Sequence, residues 1–174
     1  MRKWFPQFVC AGLFFILASC SHKTLTVNDQ LYQMQIQIRG LSDSIRTLRQ
    51  EYSPGLGELM ANIQLHHAKL WFSGLHSNWP LASYELGEIR ESIGTAINLV
   101  RNRPEVSHLP MIYPALDSLT EAIALRRPDQ FKNAFTLLTN TCNSCHQLVS
   151  YPFNVITIPT APPVTNQSFM PPKP

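Results

Sequence analysis

From Ser53 to Tyr151 the apolar residues return at steps of three and four, in four runs separated by proline. That rhythm is the period of a helix with one buried stripe, and it constrains the fold more than any other feature. In the first run, Ser53-Pro54 reads as an N-cap followed by proline at the first helical position. The helix runs to about His76, with Leu56, Met60, Ile63, His67, Leu70 and Gly74 on its stripe. Asn78-Trp79-Pro80 starts the second helix, whose inward residues are Leu86, Ile89, Ile93, Ile97 and Val100. Glu85, Glu88 and Glu91 fall on its outer face, and Arg103-Pro104 ends it. The third carries Ile112, Leu116, Leu119 and Ile123, starting at either Pro110 or Pro114. Arg127-Pro128 opens the last, where Phe131, Phe135, Leu138, Cys142 and Cys145 share the stripe. Four such helices with short links predict an all-α fold: an antiparallel four-helix bundle, running up-down-up-down.

The flanking segments follow other patterns. Between Asn28 and Tyr52, Leu31, Met34, Ile38, Leu41, Ile45 and Leu48 keep heptad spacing among polar neighbours. This predicts a coiled-coil-like stalk, either pairing with a second copy as a homo-oligomer or packing on the bundle behind it. After Tyr151 the chain holds half of its 14 prolines and cannot be helical. Phe153, Val155, Ile156 and Ile158 suit a segment lying along the bundle, whereas the last ten residues are free to be disordered.

The N-terminus reads as an export leader. Met1-Arg2-Lys3 is a positive start, Phe8 to Leu17 an apolar run too short to span a bilayer permanently. Leu17-Ala18-Ser19-Cys20 resembles the bacterial lipobox, which implies an acylated Cys20 at the mature N-terminus and anchorage in a membrane. The expected organisation is therefore a signal at 1–19, an anchor and stalk at 20–52, the bundle at 53–151 and an extended tail at 152–174. The expected location is the bacterial cell envelope, lipid-anchored and facing the periplasm. Setting Arg2 and Lys3 aside brings the 14 basic residues to within one of the 11 acidic ones. No clustered basic face remains for nucleic acid.

Of four cysteines, Cys10 falls in the leader and Cys20 takes lipid, which leaves only Cys142 and Cys145. Together with His146 they form C-x-x-C-H, the attachment pattern of c-type haem. Two thiols at this spacing on one helix face reach the two vinyl groups of a porphyrin, and the adjacent histidine becomes the proximal iron ligand. A zinc site would want two further ligands at similar spacing, and a thioredoxin-like redox pair would want a βαβ setting. Neither is present in the sequence, and export to an oxidising compartment agrees with haem attachment.

A four-helix bundle with C-x-x-C-H near the end of its last helix resembles the class II c-type cytochromes, the cytochrome c-prime group. The stalk and the proline-rich tail depart from that pattern. A second stretch, His66-His67-Ala68-Lys69-Leu70-Trp71-Phe72 with Asn78-Trp79-Pro80-Leu81-Ala82-Ser83-Tyr84-Glu85, is similar to a family of poorly characterised bacterial envelope cytochromes. The Pro-Pro and Asn166-Gln167 of the tail fit that family too. These resemblances imply one covalent haem c and a redox donor and acceptor among envelope proteins.

The expected function is that of a membrane-anchored mono-haem electron carrier rather than an enzyme. The alternative is a haem that binds NO, CO or O2 at an open distal face. A peroxidase-like role is weaker, because no Arg lies near His66-His67 in sequence. For the sixth iron ligand, helix rise decides between residues. In an up-down-up-down bundle, His146 sits roughly 6 Å from the end of the last helix and Met60 roughly 9 Å from the matching end of the first. His67 lies about 10 Å deeper, which makes it the alternative to Met60. Met170 is a remote candidate from the tail. Trp71, Trp79 and Tyr84 read as core or haem-wall aromatics.

Overall fold

The computed structural model describes residues 26–173. The export leader, Cys10 and the lipidation site expected at Cys20 lie outside the described residues. Within them the chain is all-α: α1 (Val27–Tyr52), α2 (Leu56–Leu75), α3 (Trp79–Leu99), α4 (Tyr113–Ala124) and α5 (Pro128–Leu148), with a 3-10 segment at Pro104–Ile112 before α4. A boundary between Thr47 and Leu48 divides the chain into two compact units. No helix of the described residues is long and apolar enough to cross a membrane.

In the first unit, Thr26 and Asp29 form a capping box: the Thr26 N–H donates to Asp29 Oδ2 at 3.1 Å and the Asp29 N–H to Thr26 Oγ1 at 3.3 Å. The heptad residues of α1 in this unit, Leu31, Met34, Ile38, Leu41 and Ile45, are each more than half exposed, as is Leu48 just past its boundary.

In the second unit, helix starts follow the local chemistry with one correction. Ser53 does not cap α2. Its N–H completes the last turn of α1 by donating to Arg49 O at 3.1 Å, and Gly55, extended at φ −66° and ψ 152°, takes the cap position instead. Asn78 caps α3 as expected, its Oδ1 accepting from the Leu81 N–H at 3.3 Å. Pro114, not Pro110, stands in the first turn of α4. Pro104 and Pro110 both fall in the 3-10 segment, where short i→i+3 turns accommodate missing N–H groups that an α-helix would need.

Three helix ends are built alike. Ser77, Arg126 and Ser150 take left-handed φ values of 56°, 51° and 67°. The residue after each donates back across the turn: Asn78 to Ser73 O at 2.9 Å, Arg127 to Ala122 O at 3.0 Å and Tyr151 to His146 O at 2.7 Å. This is the Schellman closure, achieved here without glycine.

α2 packs on α3, α3 on α4, α4 on α5 and α5 on α2, and the 3-10 segment packs on α3, α4 and α5. Leu70, Ile89, Leu116, Leu119, Phe131, Phe135 and Leu138 are almost wholly buried between them. Each such side chain contributes roughly 1.5–3 kcal/mol on leaving water. Toward the C-terminal end of α2 the core turns aromatic. Trp71 lies 4.8 Å from Phe135 and 6.3 Å from Phe131, ring centre to ring centre, and Trp79 meets Phe131 edge-on at 6.1 Å. Gly74 is where this cluster presses on α2, since a methyl group there would overlap the Phe131 ring. Tyr84 is no part of it, being exposed beside Glu88 on α3.

Two expectations fail for reasons that lie in neighbouring elements. Glu85 is fully buried rather than outward, because His66 of α2 meets it at 2.6 Å, Nδ1 to Oε2. Its other oxygen, Oε1, has no partner among the described residues. The final stretch of the tail is docked rather than loose: Phe169 is buried 5.7 Å from the Phe72 ring, and Asn78 Nδ2 donates to Met170 O at 3.1 Å.

Candidate functional site

The last turns of α5 carry Cys142, Cys145 and His146 toward a cavity at the end of the second unit opposite the aromatic cluster. Its volume is about 370 Å³, within the roughly 300–1,000 Å³ usual for ligand and cofactor sites. α2 supplies one wall through Leu56, Met60, Ile63 and His67, and α3 contributes Ile93. The 3-10 segment adds Glu105, Leu109, Met111 and Ile112, while the tail closes over with Val149, Tyr151, Asn154 and Ile156. The expected triad and both candidate sixth ligands, Met60 and His67, thus line one space. Met170 does not line it; it sits by the α2–α3 turn. Trp71 and Trp79 do not line it either, and belong to the core instead.

Both cysteines are free thiols and half-buried. Burial, then the neighbouring Cys145, pushes the Cys142 thiol up to about 12, and burial raises Cys145 as well. A thiol–disulfide catalyst needs the reverse, a thiol depressed into the physiological range. Neither thiol is depressed in that way.

His146 has a defined tautomer. Its Nδ1 lies 2.6 Å from Asn154 O, and a carbonyl only accepts, so Nδ1 carries the proton. In the neutral ring Nε2 then keeps its lone pair, the state needed to bind a metal. His67 is differently placed. Thr139 donates its hydroxyl to Phe135 O at 3.0 Å, so toward His67 Nε2, 2.9 Å away, it accepts. His67 Nε2 is therefore the donor and already engaged, with the ring 4.3 Å from that of Phe135. Burial pulls its imidazole down from 6.5 to about 4, so it is neutral at pH 7. Met60 is half-buried, packs against the core and carries no such tie.

The rim holds charge that sequence reading missed. Arg103 lines the cavity with His67 although 36 positions of chain separate them. Arg103 Nη2 donates to Glu105 Oε1 at 2.7 Å, and this bond first of all holds the Glu105 carboxyl down to about 2. Tyr151 donates to the same oxygen at 3.4 Å. Met111 is a second thioether on the wall and was also missed, because a 3-10 segment has no 3.6-residue stripe to read.

This donor set fits the cofactor that the C-x-x-C-H motif implies. Among the described residues no group of three or more His, Cys, Asp or Glu side chains is arranged to hold a metal ion. A haem iron asks for only one or two protein ligands, the porphyrin supplying the rest, and its apolar ring suits the apolar walls of this cavity. No protein-family model matches the chain, and neither a curated protein nor a solved structure is significantly similar to it.

Proposed function

We propose that the chain is a mono-haem c-type cytochrome that carries electrons in the bacterial cell envelope, held to a membrane by lipid on Cys20. Cys142 and Cys145 make the two thioether links, His146 is the proximal iron ligand and Met60 the sixth. The helices α2 to α5 form the up-down-up-down antiparallel bundle of the class II cytochromes. The stalk seam of α1 pairs with a second copy, which sedimentation of the chain from residue 24 onward tests by dimer or monomer. Redox donor and acceptor are other envelope proteins.

The observation that carries this reading is the shared cavity: both thiols, a histidine with a free Nε2 and a thioether on the facing wall meet around one apolar space. When bound, haem supplies the one-electron chemistry. The protein excludes water with the α2 wall and the tail, sets the His146 tautomer and offers Met60. A thioether opposite histidine raises the potential, which suits a carrier.

Protein made with haem-maturation machinery is expected to keep its haem on a denaturing gel and to show a low-spin, six-coordinate spectrum inert to CO. Met60→Ala should turn the spectrum high-spin and CO-binding with attachment intact. A wild type that is already high-spin and binds CO favours gas binding at an open distal face. An effect of His67→Ala and none of Met60→Ala would transfer the sixth position to His67. Haem that extracts into acidified organic solvent would overturn the reading altogether.

A further inference from the structure

The tail turns back along α5 and ties itself to the middle of the C-x-x-C-H motif. Asn143, one of the two residues between the cysteines, is half-buried and pairs with the backbone of one tail residue in both directions. Its Nδ2 donates to Ile156 O at 2.8 Å, and the Ile156 N–H donates to its Oδ1 at 2.7 Å. Only a carboxamide offers a donor and an acceptor side by side for such a match. Two residues earlier in the tail, Asn154 presents the carbonyl that accepts from His146 Nδ1. The intervening chain is short, and a Tyr151–Asn154 turn closes it, the Asn154 N–H donating to Tyr151 O at 3.0 Å.

We infer that Asn143 is the positioning residue for His146: by clamping Ile156 it holds the Asn154 carbonyl against Nδ1, and so fixes the tautomer and donor strength of the histidine. Three observations support an active clamp over a passive contact. The tail has no helix or strand of its own to hold the carbonyl in place. The Schellman turn at Ser150 fixes the start of the tail, but the four residues Tyr151, Pro152, Phe153 and Asn154 are all exposed. The Asn154 N–H is tied back to Tyr151 O at 3.0 Å, and the next anchor beyond that turn is the Asn143 pair. Metal-ligating histidines gain basicity from a partner on the second ring nitrogen, and losing such a partner weakens ligation about 10–100-fold. The tautomer effect belongs to the polypeptide alone; the effect on iron rests on the function proposed above.

The test uses two readouts on the full chain, each with wild type, Asn143→Ala and Ile156→Pro. The proline variant removes the Ile156 donor from the tail side and leaves α5 untouched, in case the alanine variant fails to fold. Ser144→Ala is the control, since its hydroxyl bonds only within α5, to Asn140 O. The first readout is nitrogen-15 NMR of the His146 ring in protein made without haem. Wild type and control should show a single Nδ1–H tautomer, and both clamp variants a mixture. The second is the midpoint potential of the haem-loaded protein, which should rise in both variants because a weaker histidine stabilises ferric iron less. Asn143→Asp, keeping the acceptor and losing the donor, should lie between wild type and Asn143→Ala on both. A pure Nδ1–H tautomer in the clamp variants would overturn the inference. A changed tautomer in chains that never attach haem would overturn the proposed function and leave the clamp standing.

Discussion

At the α2–α3 turn, Trp71, Trp79, Phe131 and Phe135 fill the interior so tightly that α2 can offer only hydrogen at Gly74. At the other end, where α2 begins and α5 finishes, the same stripes carry Leu56, Met60, Cys142 and Cys145 and enclose a cavity. The helices are continuous from one end to the other, so periodicity does not distinguish the two. Side-chain volume and the tail do. One end is completed by the rings of the chain itself, the other encloses a cavity with thiols and a histidine on its walls. We read that cavity as the place of the proposed haem.

The largest expected effect is in local stability. In protein made without haem, amide exchange should be fast around the start of α2 and the 3-10 segment, and slow in the C-terminal half of α2 and the first half of α5. Protection can range from almost none up to the global unfolding free energy, so the contrast should reach orders of magnitude. Attached haem should largely erase it. Equal protection at both ends without haem would mean the hollow end is self-sufficient.

Next comes the pH dependence contributed by His67, at the border between the ends. Its imidazole titrates at about 4 when folded against 6.5 when exposed. The unfolded chain therefore binds a proton in that window that the folded chain does not. The contribution is complete above about 6.5, declines as pH falls and is gone below about 4. It amounts to about 3 kcal/mol. Denaturant titrations at several pH values should show this slope in wild type and its loss in His67→Gln.

Glycine substitution gives a sharper local contrast. Gly74→Ala should destabilise by about 1–3 kcal/mol, since Phe131 has nowhere to go. Gly94→Ala, on α3 with nothing within 4 Å, should stabilise by up to about 1 kcal/mol through helix propensity. The smallest effect is at the α4 end, where Arg126→Gly should relieve a left-handed φ of 51° and stabilise by about 0.5–1 kcal/mol. Thermal melts resolve both signs.

What was legible in the sequence was whatever depends on one helix at a time. Asn78-Trp79-Pro80 and Arg127-Pro128 start helices where they read as starts, because caps and proline act within a single turn. Ser53 misled because α1 runs on to Tyr52 and α2 starts later, with Gly55 in the cap position. Glu85 read as outward because its partner, His66, lies on another helix. Arg103 and Met111 were invisible as site residues for the same reason, reaching the cavity only through the fold. The tail was the least legible: its anchors are a backbone carbonyl at Asn154, the backbone of Ile156 and the Phe169 ring, and no periodicity announces any of them.

The central claim, that the hollow end is a socket for one covalently held haem, is tested most directly by the intact mass of the protein made with haem-maturation machinery. The account predicts a mass raised by one haem, with the addition mapped to the peptide containing Cys142 and Cys145 and absent from the Cys142→Ala, Cys145→Ala double variant. A wild-type chain whose mature mass shows no haem on that peptide, under conditions that load another c-type cytochrome, would contradict it.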